Sequence, residues 1–77
     1  MKELIEYIAK AIVDSPDEVR VREEGQGDTV IYYLEVAEPD MGKVIGKQGR
    51  IANAMRALLK VAATRRGIRR ASLEIGE

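Results

Sequence analysis

The chain has 77 residues, of which 45% are apolar and 34% are charged, and it contains no cysteine and no histidine. A chain of this length supports one folded domain at most, so a multidomain enzyme is excluded. Without cysteine or histidine it forms no disulfide, no thiolate or imidazole metal site, and no Ser-His or Cys-His catalytic pair. We therefore predict a single domain over residues 1–77 that is not an enzyme, with no metal and no cofactor.

The charges are balanced in total but separated along the sequence. Thirteen basic residues match thirteen acidic ones. Residues 1–40 contain eleven acidic and four basic residues, a net charge of −7, whereas residues 41–77 contain two acidic and nine basic residues, a net charge of +7. If the halves also separate in space, the second half presents a basic surface to polyanions. Alternatively, the two halves pair with each other across the fold.

The first predicted element is a helix over residues 3–13, because its apolar residues recur on one helical face. These apolar residues are Leu4, Ile5, Ile8, Ala9, Ile12 and Val13. Charged residues such as Glu6 and Lys10 interrupt the apolar stretch, which is too short for a signal-peptide core or a membrane span. We therefore expect a soluble, cytoplasmic protein that makes no membrane contact.

Two strands are predicted next, around residues 19–22 and 30–36. The second strand alternates, with its apolar side chains on one side. These side chains are Val30, Tyr32, Leu34 and Val36. A glycine-containing turn over residues 25–28 separates the two strands, which predicts an antiparallel hairpin.

A short helix over residues 41–45 follows, with Asp40 as its expected N-terminal cap. A longer helix from about residue 50 to 66 comes after the glycine turn, and Gly67 suits the position after its C-terminus. The last strand, around residues 71–75, is reached through helices only, so we expect it to lie parallel to the second strand. The predicted fold is α+β, in the order α-β-β-α-α-β, with a three-stranded mixed sheet and three helices packed on one face.

The turn at residues 46–49 has two glycines three positions apart. Such a turn requires positive φ or a close backbone approach, and it leaves the first N–H groups of the next helix available to an anion. Lys43, Lys47 and Arg50 surround it, and no acidic residue occurs between Asp40 and Glu74. By itself, however, a Gly-x-x-Gly segment more often serves only to turn the chain.

The segment Val44-Ile45-Gly46-Lys47-Gln48-Gly49-Arg50, in this order of elements, resembles the signature of the K-homology (KH) domain in its bacterial, type II arrangement. The resemblance covers essentially the whole chain, with a core motif at about residues 29–76, and is closest to the small single-domain family called KH domain protein A. It implies binding of short single-stranded RNA, with the Gly-x-x-Gly loop clamping the backbone. An RNA chaperone or post-transcriptional regulator is the implied role.

The resemblance also implies which residues bind RNA. The candidates are Lys43, Ile45, Gly46, Lys47, Gln48, Gly49, Arg50, Ala52, Asn53, Met55 and Arg56. Ile45, Ala52 and Met55 are expected to line an apolar groove beside the loop. Asn53 and Arg56 are included because they lie nearest the loop, although a solvated helix face explains them equally well.

The long helix has more apolar surface than one sheet needs to bury, over roughly 200° of its circumference. Its apolar residues are Ile51, Ala52, Ala54, Met55, Leu58, Leu59, Val61, Ala62 and Ala63. This extra apolar surface has three alternative explanations. It forms the floor of the RNA groove, it packs into the core, or it contacts another chain. The resemblance implies self-association and association with a larger KH-containing protein. The alternative function is therefore an interaction module, as a homodimer or as such a heterodimer, in the regulation of cell growth and envelope synthesis.

The hairpin expected to border the groove is acidic, whereas the far end of the long helix is basic. Acidic residues of the hairpin are expected to repel phosphates, which predicts modest, salt-dependent RNA affinity. These are Glu23, Glu24 and Asp28. A basic cluster follows the long helix, formed by Arg65, Arg66, Arg69 and Arg70. The cluster extends an RNA track, binds an acidic partner or complements the helix C-terminus.

Overall fold

The computed structural model describes residues 1–76. Its helices and strands are α1 (Lys2–Ile12), β1 (Arg20–Gln26), β2 (Thr29–Glu35), α2 (Met41–Ile45), α3 (Arg50–Arg65) and β3 (Arg70–Gly76). Short 3₁₀ turns at Pro16–Glu18, Glu38–Asp40 and Lys47–Gly49 connect some of them. The predicted order α-β-β-α-α-β is confirmed, and the arrangement is that of a type II KH fold.

The three strands form one sheet in the order β1-β2-β3. The central strand β2 runs antiparallel to β1 and parallel to β3, as expected for a hairpin followed by a helical crossover. In the hairpin Gln26 pairs with Thr29, so the turn consists of Gly27 and Asp28 alone. The turn predicted over residues 25–28 is therefore too long. A two-residue turn with Gly27 at φ +63° suffices.

The core lies between one face of the sheet and the three helices. The sheet contributes the apolar side of β2, and α1 and α3 contribute the residues that face it. The most deeply buried apolar residues of the core are Ile5, Ala9, Tyr32, Leu34, Val44, Met55, Leu59, Ala63 and Leu73. The opposite face of the sheet carries charged residues, among them Arg22, Glu24 and Glu74.

Asp40 lies at the N-cap position of α2, but its side chain does not cap that helix. It is only 1% exposed, and its carboxylate accepts hydrogen bonds from the N–H of Asp14 at 3.2 Å and of Ser15 at 3.1 Å. The expected cap is wrong because Asp40 belongs to the preceding 3₁₀ turn and has helical φ and ψ of −92° and −7°. A capping residue normally has extended φ and ψ. Asp40 instead joins the start of α2 to the segment after α1.

The end of α3 fixes where β3 begins. Gly67 has φ +75°, the N–H of Ile68 donates to the carbonyl of Ala63 at 2.9 Å, and the N–H of Gly67 donates to that of Thr64. These two bonds make a Schellman motif, which confirms the position predicted for Gly67. The N–H groups of Arg69 and Arg70 then both donate to the carbonyl of Asp28. The basic end of α3 is thereby attached to the tip of the hairpin.

Candidate nucleic-acid interface

The glycine loop, residues 46–49, turns the chain from α2 into α3 through three residues with positive φ. Gly46 has φ +76° and ψ 174°, Gln48 has φ +57°, and Gly49 has φ +74°. The expectation of a turn that needs positive φ is confirmed. Only glycine adopts the φ and ψ of Gly46 readily, because a Cβ atom makes that region sterically unfavourable.

The loop packs directly against the first turn of α3 at Gly46. A Cβ atom at Gly46 would lie 2.7 Å from Cγ1 and 3.0 Å from the backbone nitrogen of Ile51. At Gly49 the nearest atom to such a Cβ is Nδ2 of Asn53, at an ordinary contact distance of 3.8 Å. Close packing therefore requires glycine at position 46, whereas backbone conformation alone favours it at position 49.

Hydrogen bonds inside the loop use some of the backbone amides that the sequence suggested for an anion. The N–H of Gly49 donates to the carbonyl of Gly46 at 3.1 Å, and the N–H of Arg50 donates to that of Lys47. The expectation that the first amides of α3 are unpaired is wrong for Arg50, because the loop closes as a 3₁₀ turn. The positive charge at this end comes mainly from side chains and from the α3 dipole.

The basic side chains near the loop differ in their surroundings. Lys43 on α2 donates a hydrogen bond to the Asp14 carboxylate, and this bond raises the pKa of Lys43. Lys47 and Arg50 are exposed, and neither forms an ion pair with another part of residues 1–76. Within this part of the chain, Lys47 and Arg50 are therefore the cations beside the loop that form no ion pair, while Lys43 is paired with Asp14, just after α1.

The three apolar candidates are placed at different depths. Ile45 is partly exposed directly before the loop. Ala52 and Met55 are only 3% and 2% exposed, because they lie on the side of α3 that faces the interior. Their side chains support the surface from beneath, and Ile45 alone of the three presents a large apolar group next to the loop.

Polar side chains form a ridge along α3, on the side nearest β3. The ridge consists of Asn53, Arg56, Lys60 and Thr64, spaced three or four residues apart. Half-buried Arg56 donates from Nε and Nη2 to the carbonyl of Leu73, at 3.4 and 3.3 Å, and from Nη1 to Oδ1 of Asn53 at 3.2 Å. Arg56 thus joins α3 to the edge strand β3, and the ridge and that edge border a groove leading away from the glycine loop.

Lys60 and Thr64 were not among the candidates from the sequence. They extend the ridge that Asn53 and Arg56 begin, toward the start of β3. The signal was present, because residues 53, 56, 60 and 64 follow the helical repeat of one face. Only Asn53 and Arg56 were predicted as candidates, because they lie nearest to the glycine loop in the sequence.

Within residues 1–76, ion pairs join the two charged halves of the chain in two places. Lys43 pairs with Asp14, and Arg69 pairs with Asp28 at 3.9 Å. All four side chains are substantially exposed, so each pair stabilises the fold only weakly. The cations of the ridge and the glycine loop, which are Lys47, Arg56 and Lys60, form no ion pair within residues 1–76.

Within residues 1–76, no helix is long and apolar enough to cross a bilayer. No group of three or more acidic side chains in the same range is arranged to hold a metal ion.

Comparison with known proteins gives consistent matches. The family profile for the KhpA/KhpB KH domain matches residues 2–75. The chain is 52% identical to the RNA-binding protein KhpA of Chlamydia pneumoniae over 77 residues, covering 100% of this chain and 97% of that protein. It is 59% identical to the RNA-binding protein KhpA of Caldanaerobacter subterraneus over 63 residues, covering 82% and 84%.

A third relative, the RNA-binding protein KhpA of Clostridium acetobutylicum, is 57% identical over 65 residues, covering 84% of this chain and 87% of that protein. No solved structure matches the chain closely enough to count as a relative. The matched family is one of KH domains and not of enzymes, as the sequence predicted. On these matches, and on the type II KH fold described above, the chain belongs to the KhpA/KhpB KH-domain family.

Proposed function

We propose that this protein binds short single-stranded RNA through the glycine loop, residues 46–49, and the groove beside it. The observation that carries the proposal is the loop itself, which positive φ values hold against α3 while Lys47, Gln48 and Arg50 remain exposed. Relatives of similar length carry the name RNA-binding protein. The proposal takes residues 1–77 as one KH domain, with its core motif at about residues 29–76.

The loop would act on the RNA backbone and the groove on the bases. Lys47 and Arg50 lie at the N-terminal end of α3, where the helix dipole also favours negative charge. Bases would lie beside Ile45 and along the ridge, where Asn53 offers an amide. Because backbone contacts dominate, binding is salt-dependent and weakly selective for sequence.

Weak selectivity for short unpaired segments suits an RNA chaperone or a post-transcriptional regulator, and we propose such a role in the cytoplasm. A chaperone must release its RNA readily. Of the acidic residues at the hairpin, Asp28 limits the affinity, because it pairs with Arg69 at the basic end of the groove. Glu23 and Glu24 lie on β1, at the other edge of the sheet from β3, so the repulsion expected from them is not directed at this groove.

The test is a double substitution, Lys47→Asp with Gln48→Asp, which reverses the charge of the loop while keeping both glycines. Aspartate tolerates the positive φ of residue 48, so the fold should be retained. Fluorescence anisotropy with a degenerate short single-stranded RNA at two salt concentrations should show salt-dependent binding by the wild type and its loss in the variant. The thermal unfolding midpoint should barely change.

The matched control is Lys10→Glu with Ala11→Glu, two exposed positions on α1 that give the same change in net charge. This control should retain most of the binding, because the altered charges lie away from the loop. Equal RNA affinity for the wild type and the loop variant would contradict the assignment of the loop. Equal losses in the loop variant and the control would show that net charge alone governs binding.

A second candidate function, a protein-interaction module, is favoured by an apolar strip on α3. The strip consists of Ile51, Leu58 and Val61, and the last two are 50% and 58% exposed. Large apolar side chains on one helix face mark a contact surface. The partner would be a second copy or a larger KH-containing protein, acting together in the regulation of cell growth and envelope synthesis.

Sedimentation tests this second function separately. Val61→Glu places a charge in the apolar strip and should convert a dimer to a monomer while leaving the glycine loop intact. Lys60→Glu, on the neighbouring ridge side of α3, is the control and should leave the association unchanged. A wild-type protein that is monomeric at all concentrations tested would rule out self-association through the strip.

A further inference from the structure

A cavity of about 550 Å³ lies at the far end of the groove from the glycine loop. It is formed by the C-terminal half of α3, the segment that follows it, and the first residues of β2 and β3. Lys60, Thr64, Arg70 and Ser72 contribute polar groups, while Ile68 and Ala71 contribute apolar surface. We refer to it as the distal cavity.

The distal cavity lies along the same ridge as the candidate site. Lys60 follows Arg50 by ten residues, which is about 15 Å along the axis of α3. Asn53 and Arg56 lie between them on the ridge, and Arg56 also contacts the edge of β3 at Leu73. An RNA strand that leaves the glycine loop along the ridge therefore reaches the distal cavity without crossing another helix or β-strand.

The charges at the distal cavity favour an anion. Arg69 pairs with Asp28, whereas Lys60 and Arg70 form no ion pair within residues 1–76. The backbone of Arg70 is fixed, because its N–H donates to the carbonyl of Asp28 at 3.1 Å. Two exposed cations that line one cavity repel each other when it is empty, and a phosphate relieves that repulsion.

The apolar surface and the sheet geometry narrow the kind of anion. Ile68 and Ala71 are half-buried on the side of the sheet that faces α3, and they give a base a surface to pack against, next to cations that suit a phosphate. On the other side of Thr29 and Ile31, a second depression includes Glu24, whose charge repels phosphate. The distal cavity therefore combines apolar surface with basic side chains, whereas the second depression is acidic. This combination fits a nucleotide.

We propose that the distal cavity binds a further nucleotide of the same RNA strand, beyond those held at the glycine loop. This inference rests on the proposed RNA-binding function and extends its site. The Gly-x-x-Gly loop of a KH domain accounts for about four nucleotides. The distal cavity therefore adds affinity only for RNA longer than that, with contacts from Lys60 and Arg70.

The test compares a degenerate RNA tetramer with a degenerate octamer, each labelled at its 5′ end, by fluorescence anisotropy. Lys60→Gln with Arg70→Gln removes both cations at exposed positions. The matched control is Lys2→Gln with Lys10→Gln, which makes the same change in net charge on α1, outside the lining of the distal cavity. Circular dichroism establishes that each variant is folded.

For the octamer, we expect the variant to lose about tenfold in affinity, and its slope of log K against log salt to become shallower by about 1.4, the value for two lost phosphate contacts. The tetramer should bind the variant and the wild type nearly equally, and the control should resemble the wild type with both RNAs. Ser72→Glu introduces a negative charge into the distal cavity. It should likewise lower the affinity for the octamer and leave the affinity for the tetramer nearly unchanged.

Two other outcomes would overturn the inference. If the Lys60 and Arg70 variant and Ser72→Glu both bind the octamer as the wild type does, while Lys47→Asp with Gln48→Asp abolishes binding, the glycine loop is the whole site. If the Lys60 and Arg70 variant loses affinity for the tetramer and the octamer equally, the two cations act through the overall electrostatic field and not as a separate nucleotide site. Absence of binding by the wild type with either RNA would instead reject the proposed function itself.

Discussion

The two glycines of the loop have different structural requirements, although they occupy equivalent positions in the sequence motif. We expect Gly46→Ala to lower the free energy of unfolding by about 3 kcal/mol, because it combines an unfavourable φ and ψ with a clash against Ile51. Gly49→Ala meets only an ordinary contact and should cost about 1 kcal/mol. Urea unfolding of both variants measures the difference. Equal losses, or a larger loss at Gly49, would contradict the role assigned to the close approach at Gly46.

At the scale of elements, Asp40 connects the segment after α1 to α2, and so holds the helix that precedes the glycine loop. Asp40→Ala leaves the N–H groups of Asp14 and Ser15 without their acceptor, and we expect a loss of about 2 kcal/mol in the free energy of unfolding. Hydrogen exchange should be faster at these two amides. Asp40→Asn retains one carbonyl oxygen and should show a smaller loss. Unchanged exchange at residues 14 and 15 in Asp40→Ala would contradict this role.

The elements themselves were largely predictable from the sequence. The apolar alternation of β2 and the helical repeat of α1 and α3 are local patterns, and the crossover rule gave the parallel pairing of β2 with β3. The positive φ at the glycine loop followed from the spacing of its two glycines.

What the sequence did not reveal depends on contacts between distant residues. Asp40 is at a capping position in sequence, yet its partners are 25 and 26 residues away. Met55 matches the groove pattern of the KH motif, but the direction of its side chain is set by how α3 packs on the sheet, and it is buried. Lys60 lies beside the candidate site only because α3 runs alongside β3.

At the scale of the whole molecule, we expect the free energy of unfolding to fall at alkaline pH because of Tyr32. Burial, followed by the carboxylate of Glu23 opposite it on β1, raises the pKa of Tyr32 from 10.0 to about 12. The folded state therefore favours the neutral phenol, and its stabilisation is complete below pH 10 and is lost as the pH rises toward 12. The total loss should be about 2 to 3 kcal/mol.

Tyr32→Phe keeps the ring and removes the ionisable group, so it isolates this effect from the other tyrosines and the lysines. Urea unfolding of both proteins at several pH values between 9 and 12 should show a steeper fall for the wild type. Parallel curves for the two proteins would mean that Tyr32 ionises equally easily in the folded and unfolded states.

The strand order also limits how the chain acquires its structure. The central strand β2 pairs with β1 across a two-residue turn, but its other partner, β3, begins only after both α2 and α3. During synthesis the hairpin can therefore form early with one edge of β2 open, and that edge remains a template for wrong pairing until residues 70–76 have emerged. The contacts of Arg69 and Arg70 with the hairpin turn close this edge at the same moment as they complete the basic end of the groove. A partly made chain would thus be prone to aggregation and, on the function proposed above, unable to hold a long RNA.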